Sequence, residues 1–263
     1  MSSFVDHFFT ASDRIVRFLW VHPKIVDLQA QHTDTDIRNA LGSFPNDLEL
    51  MYTNILRSID SLPSPRRRRV KRTLRWVVCA KRPLTVTQLS EAVAIDEMTE
   101  IWDEARLVND PPSSLIEDAS DLVFRKGGPW WSPNAEVYMI HKSVTDFLLH
   151  RLALLDSSLT GYCLSLPTAQ VAIVRECFKY FSLVAEQQGD HVEHRHRLLM
   201  YACNCWPEHL RDAGLAGKEL VSDFSELMQP TSLCRELWLR HYNGNRYAIP
   251  LTSLLGPSHW QPE

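Results

Sequence analysis

Leu74-Arg-Trp-Val-Val-Cys-Ala-Lys-Arg-Pro-Leu-Thr-Val-Thr-Gln-Leu-Ser-Glu-Ala-Val-Ala-Ile95 and Val137-Tyr-Met-Ile-His-Lys-Ser-Val-Thr-Asp-Phe-Leu-Leu149 are the two stretches that decide the fold. In the first, a helical face ends at Lys81-Arg-Pro-Leu-Thr85, a short extended link, because proline removes an amide donor and biases its predecessor towards extended geometry. Thr85 or Thr87 then caps a second helix whose Leu89 and Val93 face inward. The second stretch opens on alternating residues, Val137 and Met139 on one side and Tyr138 and Ile140 on the other, which reads as a strand. It continues into a helix capped by His141 or Ser143, with Val144, Phe147 and Leu148 packing inward.

Between the two, Asp110-Pro-Pro-Ser-Ser114 opens a helix bearing Leu115, Ala119 and Leu122. Val123-Phe-Arg is a strand candidate and Gly127-Gly-Pro a turn, so 123–140 reads as a β-hairpin. Helix, extended link, helix, helix and hairpin is the order of a winged helix, with the hairpin as the wing. The expected fold class is therefore mainly α: a winged-helix domain with a small β-hairpin wing, flanked by helical segments.

Upstream, Ile37, Ala40 and Leu41 mark a short helix. Leu48, Met51, Tyr52, Ile55 and Ile59 repeat at helical spacing behind Asn46 and Asp47, which are capping candidates. Ser61-Leu-Pro-Ser-Pro65 stops that helix. The next carries Val70, Leu74 and Val77 on one face and Arg66, Arg67, Arg68 and Arg69 in its first turn, where each cation opposes the helix dipole at a cost of tenths of a kcal/mol, roughly. Downstream, four stripes continue the helical pattern: Val171, Val174, Phe178 and Phe181; Leu198, Leu199, Ala202 and Trp206; Leu220, Phe224 and Leu227; Leu233, Leu237 and Trp238. Trp206-Pro207-Glu208-His209 reads as a helix end. The segments expected are 1–60 helical, 61–155 winged helix, 156–252 a helical bundle or linker, and 253–263 a flexible tail.

The 263 residues are 44% hydrophobic and 23% charged, ordinary for a globular chain. A net charge of -4 gives no global attraction for nucleic acid or membrane. No apolar run approaches the ~20 residues needed to span a bilayer, and MSSFVDHFFT lacks the basic start and apolar core of a signal peptide. The six cysteines form no regular framework and read as reduced, buried thiols. An intracellular, cytoplasmic chain is expected, although Arg66 to Arg72 also fits a nuclear-import signal.

The residues now carry a resemblance. Ile37-Arg-Asn-Ala-Leu-Gly-Ser-Phe-Pro-Asn-Asp-Leu-Glu-Leu-Met-Tyr-Thr-Asn-Ile-Leu56 resembles the stretch just after the nucleotide-binding NACHT module of fungal STAND NTPases. The stretches RWVVCAKRPLTVTQLSEAVAI and IHKSVTDFLL are similar to the winged-helix domain of the same proteins, a domain also named after GPI inositol-deacylase. Leu199-Met-Tyr-Ala-Cys-Asn-Cys-Trp-Pro-Glu-His-Leu210 resembles the helical segment that often precedes ankyrin or other repeats. The likeness runs from about Phe18 to about Tyr242. It implies a regulatory, non-enzymatic module that packs against a NACHT module, in the same chain or in trans, helps hold an off state, and serves self/non-self or innate-immunity-like signalling. The sequence departs from the family in having no G-x-x-x-x-G-K-[ST] loop: Gly214-Leu-Ala-Gly-Lys-Glu219 lacks the spacing and the hydroxyl. Pro23 also falls where the family continues a helix. The chain looks like the middle of a longer receptor, or a truncated piece of one.

Candidate chemistry is thin. His191, His194 and His196 with Cys203 and Cys205 are the one metal-like group, but Cys-x-Cys lacks the usual two-residue gap and a helix aims its two thiols about 200° apart. Ser143, Thr145 and Asp146 beside His141 suggest a triad without a nucleophile elbow. No catalytic, cofactor or metal residue is therefore expected. The basic run also fits phosphate contact, which keeps a nucleic-acid-binding winged helix as the alternative. The helix expected to read bases carries Glu117, Asp118 and Asp121 instead, so nucleic acid is not the expected partner. The residues expected at a protein contact are Arg66, Arg67, Arg68, Arg69, Trp130 and Trp131.

Overall fold

The structure, a computed structural model, describes residues 33, 35–36, 48–95, 100–101, 116–119, 121–128, 132–187, 192–227 and 229–242. The helix expected around Ile37 to Leu41, the helix start at Asp110 to Leu115, Trp130, Trp131, His191 and the tail from 253 lie outside them, as does the side chain of His194. The described chain is mainly helical with one small three-stranded antiparallel sheet.

Helix α1 spans Leu48–Asp60 and buries Tyr52, Leu56 and Ile59, three of its apolar positions one turn apart. Pro63 stands between it and α2, Ser64–Cys79, whose Pro65 lies in the first turn, where a proline costs no internal hydrogen bond. The face expected from Val70, Leu74 and Val77 is broader than its spacing suggested. Val70, Thr73, Leu74, Trp76 and Cys79 are buried, and Val77 is only partly covered. Strand β1 is Leu84–Thr85, and α3 follows at Val86–Ala94. Thr85 makes a reciprocal cap on α3: the Gln88 amide donates to its hydroxyl at 3.2 Å while the Gln88 side chain accepts from the Thr85 amide at 3.1 Å.

Strands β2, Val123–Lys126, and β3, Glu136–Met139, pair antiparallel with Phe124 opposite Tyr138, and β1 adds to the far edge of β3 with Leu84 opposite Val137. The sheet order is β1-β3-β2. Gly127 and Gly128 begin the β2–β3 connection with φ of 93° and 74°, a region that glycine enters at little cost because it has no Cβ. Ahead of β2, residues 116–117 are helical, but 118–119 and 121–122 lie in turns, so the buried Ala119 and Leu122 reach the core from turns.

His141 caps α4, Lys142–Asp146, its ring accepting from the Ser143 amide at 3.1 Å. The helix then widens into a π turn at Phe147–Arg151 and resumes as α5, Leu152–Leu155. A 3-10 turn at Ser157–Tyr162 leads to α6, Leu166–Ala185. Short α7 (Val192–Arg195), α8 (Leu199–Ala213), a 3-10 turn (Gly214–Glu219), α9 (Leu220–Leu227) and α10 (Leu233–His241) complete it.

One continuous cluster of buried side chains runs from Tyr52 to Trp238. The stripes expected on α6 and α8 are buried throughout, whereas Leu233 on α10 is 46% exposed and only Leu237 and Trp238 of its stripe pack inward. Trp206 sits between Phe178 and Trp238, with ring centroids 5.3 and 5.9 Å away. Edge-on aromatic pairs of this kind add about 0.5–1.5 kcal/mol beyond the area they bury.

Trp206-Pro207-Glu208-His209 is not a helix end: Pro207 lies inside α8. A proline there deprives the carbonyl four residues earlier, that of Cys203, of its amide partner. The buried indole N–H of Trp238 supplies the missing donor, at 3.0 Å from the Cys203 oxygen. A side chain from α10 thus completes a backbone bond that α8 cannot make for itself. Trp238→Phe keeps most of the packing but leaves that carbonyl unpaired, so urea unfolding should show a loss of about 1–3 kcal/mol. Pro207→Ala returns an amide to the helix, and the double substitution should lose measurably less than the sum of the singles.

Candidate interaction surface

The first turn of α2 has no acidic residue and no side-chain cap, and because the helix starts at Ser64 the four arginines expected in that turn spread over the first two turns, with Arg66 and Arg67 in the first. Tertiary carboxylates resolve part of that conflict. Arg66 grips the Asp118 carboxylate with Nε and Nη2. Arg67 donates to the Asp60 main-chain carbonyl at 2.8 Å and stands 3.7 Å from its carboxylate, which places a cation at the negative end of α1. Asp60 also accepts from the Tyr162 hydroxyl at 3.0 Å, and Lys71 lies 3.9 Å from it and 4.2 Å above the Tyr162 ring. Arg68 is exposed and, among the described residues, reaches only the Ser64 hydroxyl, at 3.2 Å. Arg69 is half-buried, and its Nε is covered without an acceptor.

Farther along α2 the arginines serve the interior. Arg72, at 2.9 Å, and Arg75 both donate to the same oxygen of Glu176 on α6. Burial pushes the Glu176 carboxyl above its ordinary range while Arg75 and Arg72 pull it back. Glu91 on α3, 3% exposed, accepts from the Tyr180 hydroxyl at 2.7 Å and from the Arg197 and Leu198 amides at 2.8 and 2.9 Å. These amides open α8, which lacks a cap of its own. Burial raises the Glu91 carboxyl too, against those three hydrogen bonds. Neither acid declares itself in the sequence except as a charge between inward apolar positions: Glu91 between Leu89 and Val93, Glu176 between Val174 and Phe178.

A second buried chain of polar groups links the β1 approach to the helices. The Lys81 amide donates to the Tyr201 hydroxyl at 2.9 Å, that hydroxyl lies 2.8 Å from His209 Nε2, and His209 Nδ1 faces Gln170 Oε1. With Tyr201 donating to Nε2, the ring is neutral and gives its Nδ1 proton to Gln170. Burial, with Lys81 nearby, lowers His209 from 6.5 to about 3.

The histidine and serine of the triad-like group do meet: Ser143 Oγ lies 2.7 Å from His141 Nδ1 and 2.8 Å from the Tyr52 hydroxyl. Both are engaged in starting α4 and fastening it to α1, while Asp146 is exposed. His196 is buried with Nε2 3.2 Å from Gln187 Oε1, and burial lowers it to about 4. Cys203 and Cys205 are both buried as free thiols, raised by burial to about 12 and about 11. Among the described residues, no three His, Cys, Asp or Glu side chains are grouped to hold a metal. On the outward face of the strands Phe124 stacks on Tyr138 at 5.6 Å, flanked by one cation, Lys126, and one acid, Glu136.

Comparison of the chain with protein families, with curated proteins and with solved structures gives no match.

Two outcomes follow from the buried charges. Glu176→Gln strips both arginines of their counter-charge and should cost about 3–5 kcal/mol in chemical unfolding. His209 and His196 are held neutral in the fold, so an unfolded chain takes up protons first as pH drops below 6.5. Their contribution is complete above pH 6.5 and is lost as pH falls towards about 3. Glu91 and Glu176, shifted upward, act in the opposite sense at the acid end. His209→Gln keeps a hydrogen-bonding side chain without the titration, and its melting temperature should fall less steeply on acidification below pH 6.5 than that of the parent.

Proposed function

We propose that the chain is a non-enzymatic docking module of a NACHT-type STAND receptor, with residues 61–155 as its winged helix. The observation that carries this reading is the arrangement of α2, β1, α3, β2 and β3: two helices packed on each other, then an antiparallel strand pair whose β3 also takes in the short strand between those helices. That is the element order of a winged helix apart from its third helix, whose expected residues lie largely outside those described, and it coincides with the stretches that carry the resemblance. The engagement of His141 and Ser143 in a helix start supports docking over turnover. The partner is a nucleotide-binding NACHT module, in the same chain or in trans. No described helix is long and apolar enough to cross a membrane.

Size-exclusion chromatography of the full chain with a recombinant NACHT module tests the proposal. A shared peak is expected, and alanine at Arg66 to Arg69 should weaken it by about tenfold or more, in keeping with the loss of several charge contacts across an interface. Alanine at Trp130 and Trp131 should weaken it as well. Separate elution of the two proteins at micromolar concentration would remove the docking role.

A further inference from the structure

We propose that the first two turns of α2 carry a docking strip for an acidic protein segment, with the exposed Arg68 and the half-buried Arg69 as its contact cations. The inference rests on the docking reading above and divides the four arginines by task. Arg66 and Arg67 are committed inside the fold, to Asp118 and to the end of α1. Among the described residues Arg68 meets only a neutral hydroxyl one turn back on its own helix. Among the described residues Arg69 has no carboxylate within ion-pair distance. Among the described residues the five cations from Arg66 to Lys71 face Asp60 and Asp118 in ion pairs and Glu117 at longer range, so positive charges outnumber negative ones there. They do so at the positive end of an uncapped helix, in a protein whose net charge is -4.

An approaching anion relieves that local repulsion, and its chemistry is restricted. Asp60 and Asp118 sit among the arginines, so a continuous phosphate backbone crossing the strip would pass two fixed negative charges. Discrete carboxylates on a polypeptide can avoid them and still meet the planar guanidinium fork of Arg68 in paired hydrogen bonds, with the charge of Arg69 beside it. The strand face adds no further cationic excess, since Lys126 is offset by Glu136.

The test is fluorescence anisotropy of a labelled glutamate-rich peptide with the full chain, against a glutamine-rich peptide and a random DNA duplex. Binding that is specific for the glutamate peptide and weakens with salt is expected. R68Q/R69Q should reduce it about tenfold, the scale of two charge contacts of surface strength. R66Q/R67Q should mainly lower the melting temperature. If the double variant R68Q/R69Q does not fold, R68Q alone, at an exposed position, must lose part of the affinity. Unchanged affinity in these variants, or tighter binding of duplex than of the glutamate peptide, overturns the strip. Docking to a NACHT module that survives R68Q/R69Q would sink the strip and spare the module reading. Capture of the glutamate peptide without docking to such a module would do the reverse.

Discussion

Helix α8 carries a proline where a helix least tolerates one, and the fold is arranged around meeting that demand. Pro207 withholds an amide from the carbonyl of Cys203, a fully buried residue. An unpaired carbonyl in such a place costs on the order of a hydrogen bond's full desolvation. The Trp238 indole meets it only if α10 lies across α8 at one height and one rotation. A backbone defect in one helix therefore fixes the position of another.

The same helix is held at its other buried polar points by groups far away in sequence. Glu91 closes its first turn from α3, and Tyr201 and His209 on its flank join Lys81 to Gln170. Trp76 of α2 presses edge-on against both rings, at 5.9 Å from Tyr201 and 6.2 Å from His209. Hydrophobic burial draws these helices together without direction. The buried polar groups then admit one arrangement, because any slip strands a carboxylate or a ring nitrogen in an apolar interior.

Much of this architecture is legible in the amino-acid order, and the illegible part has a common cause. The helices of α2, α3 and α6 follow from apolar spacing, and the Thr85 cap from a hydroxyl placed three residues before Gln88. Strands β2 and β3 fall within a residue of the alternating stretches. Pro207 misleads because local chemistry says a proline ends a helix, and the compensating donor lies 31 positions further on, in Trp238. Glu91 and Glu176 are silent for the same reason: a charge looks solvent-facing until its partners, Leu198 or Arg75, are known to be adjacent. The arginine run is plain as a charge feature. That Arg66 and Arg67 are consumed internally while Arg68 and Arg69 are not depends on Asp118 and Asp60 arriving from elsewhere.

The widened turn at Phe147–Arg151 bears on how this chain should be aligned with others. Bonding from the Leu152 amide to the Phe147 carbonyl accommodates one residue more than an ordinary turn. A relative missing a single residue there would run as an unbroken α-helix and still present Leu148 and Leu152 to the interior. Loss of one residue at this site is thus a change of helical winding, with the residues on either side of it keeping their inward and outward faces.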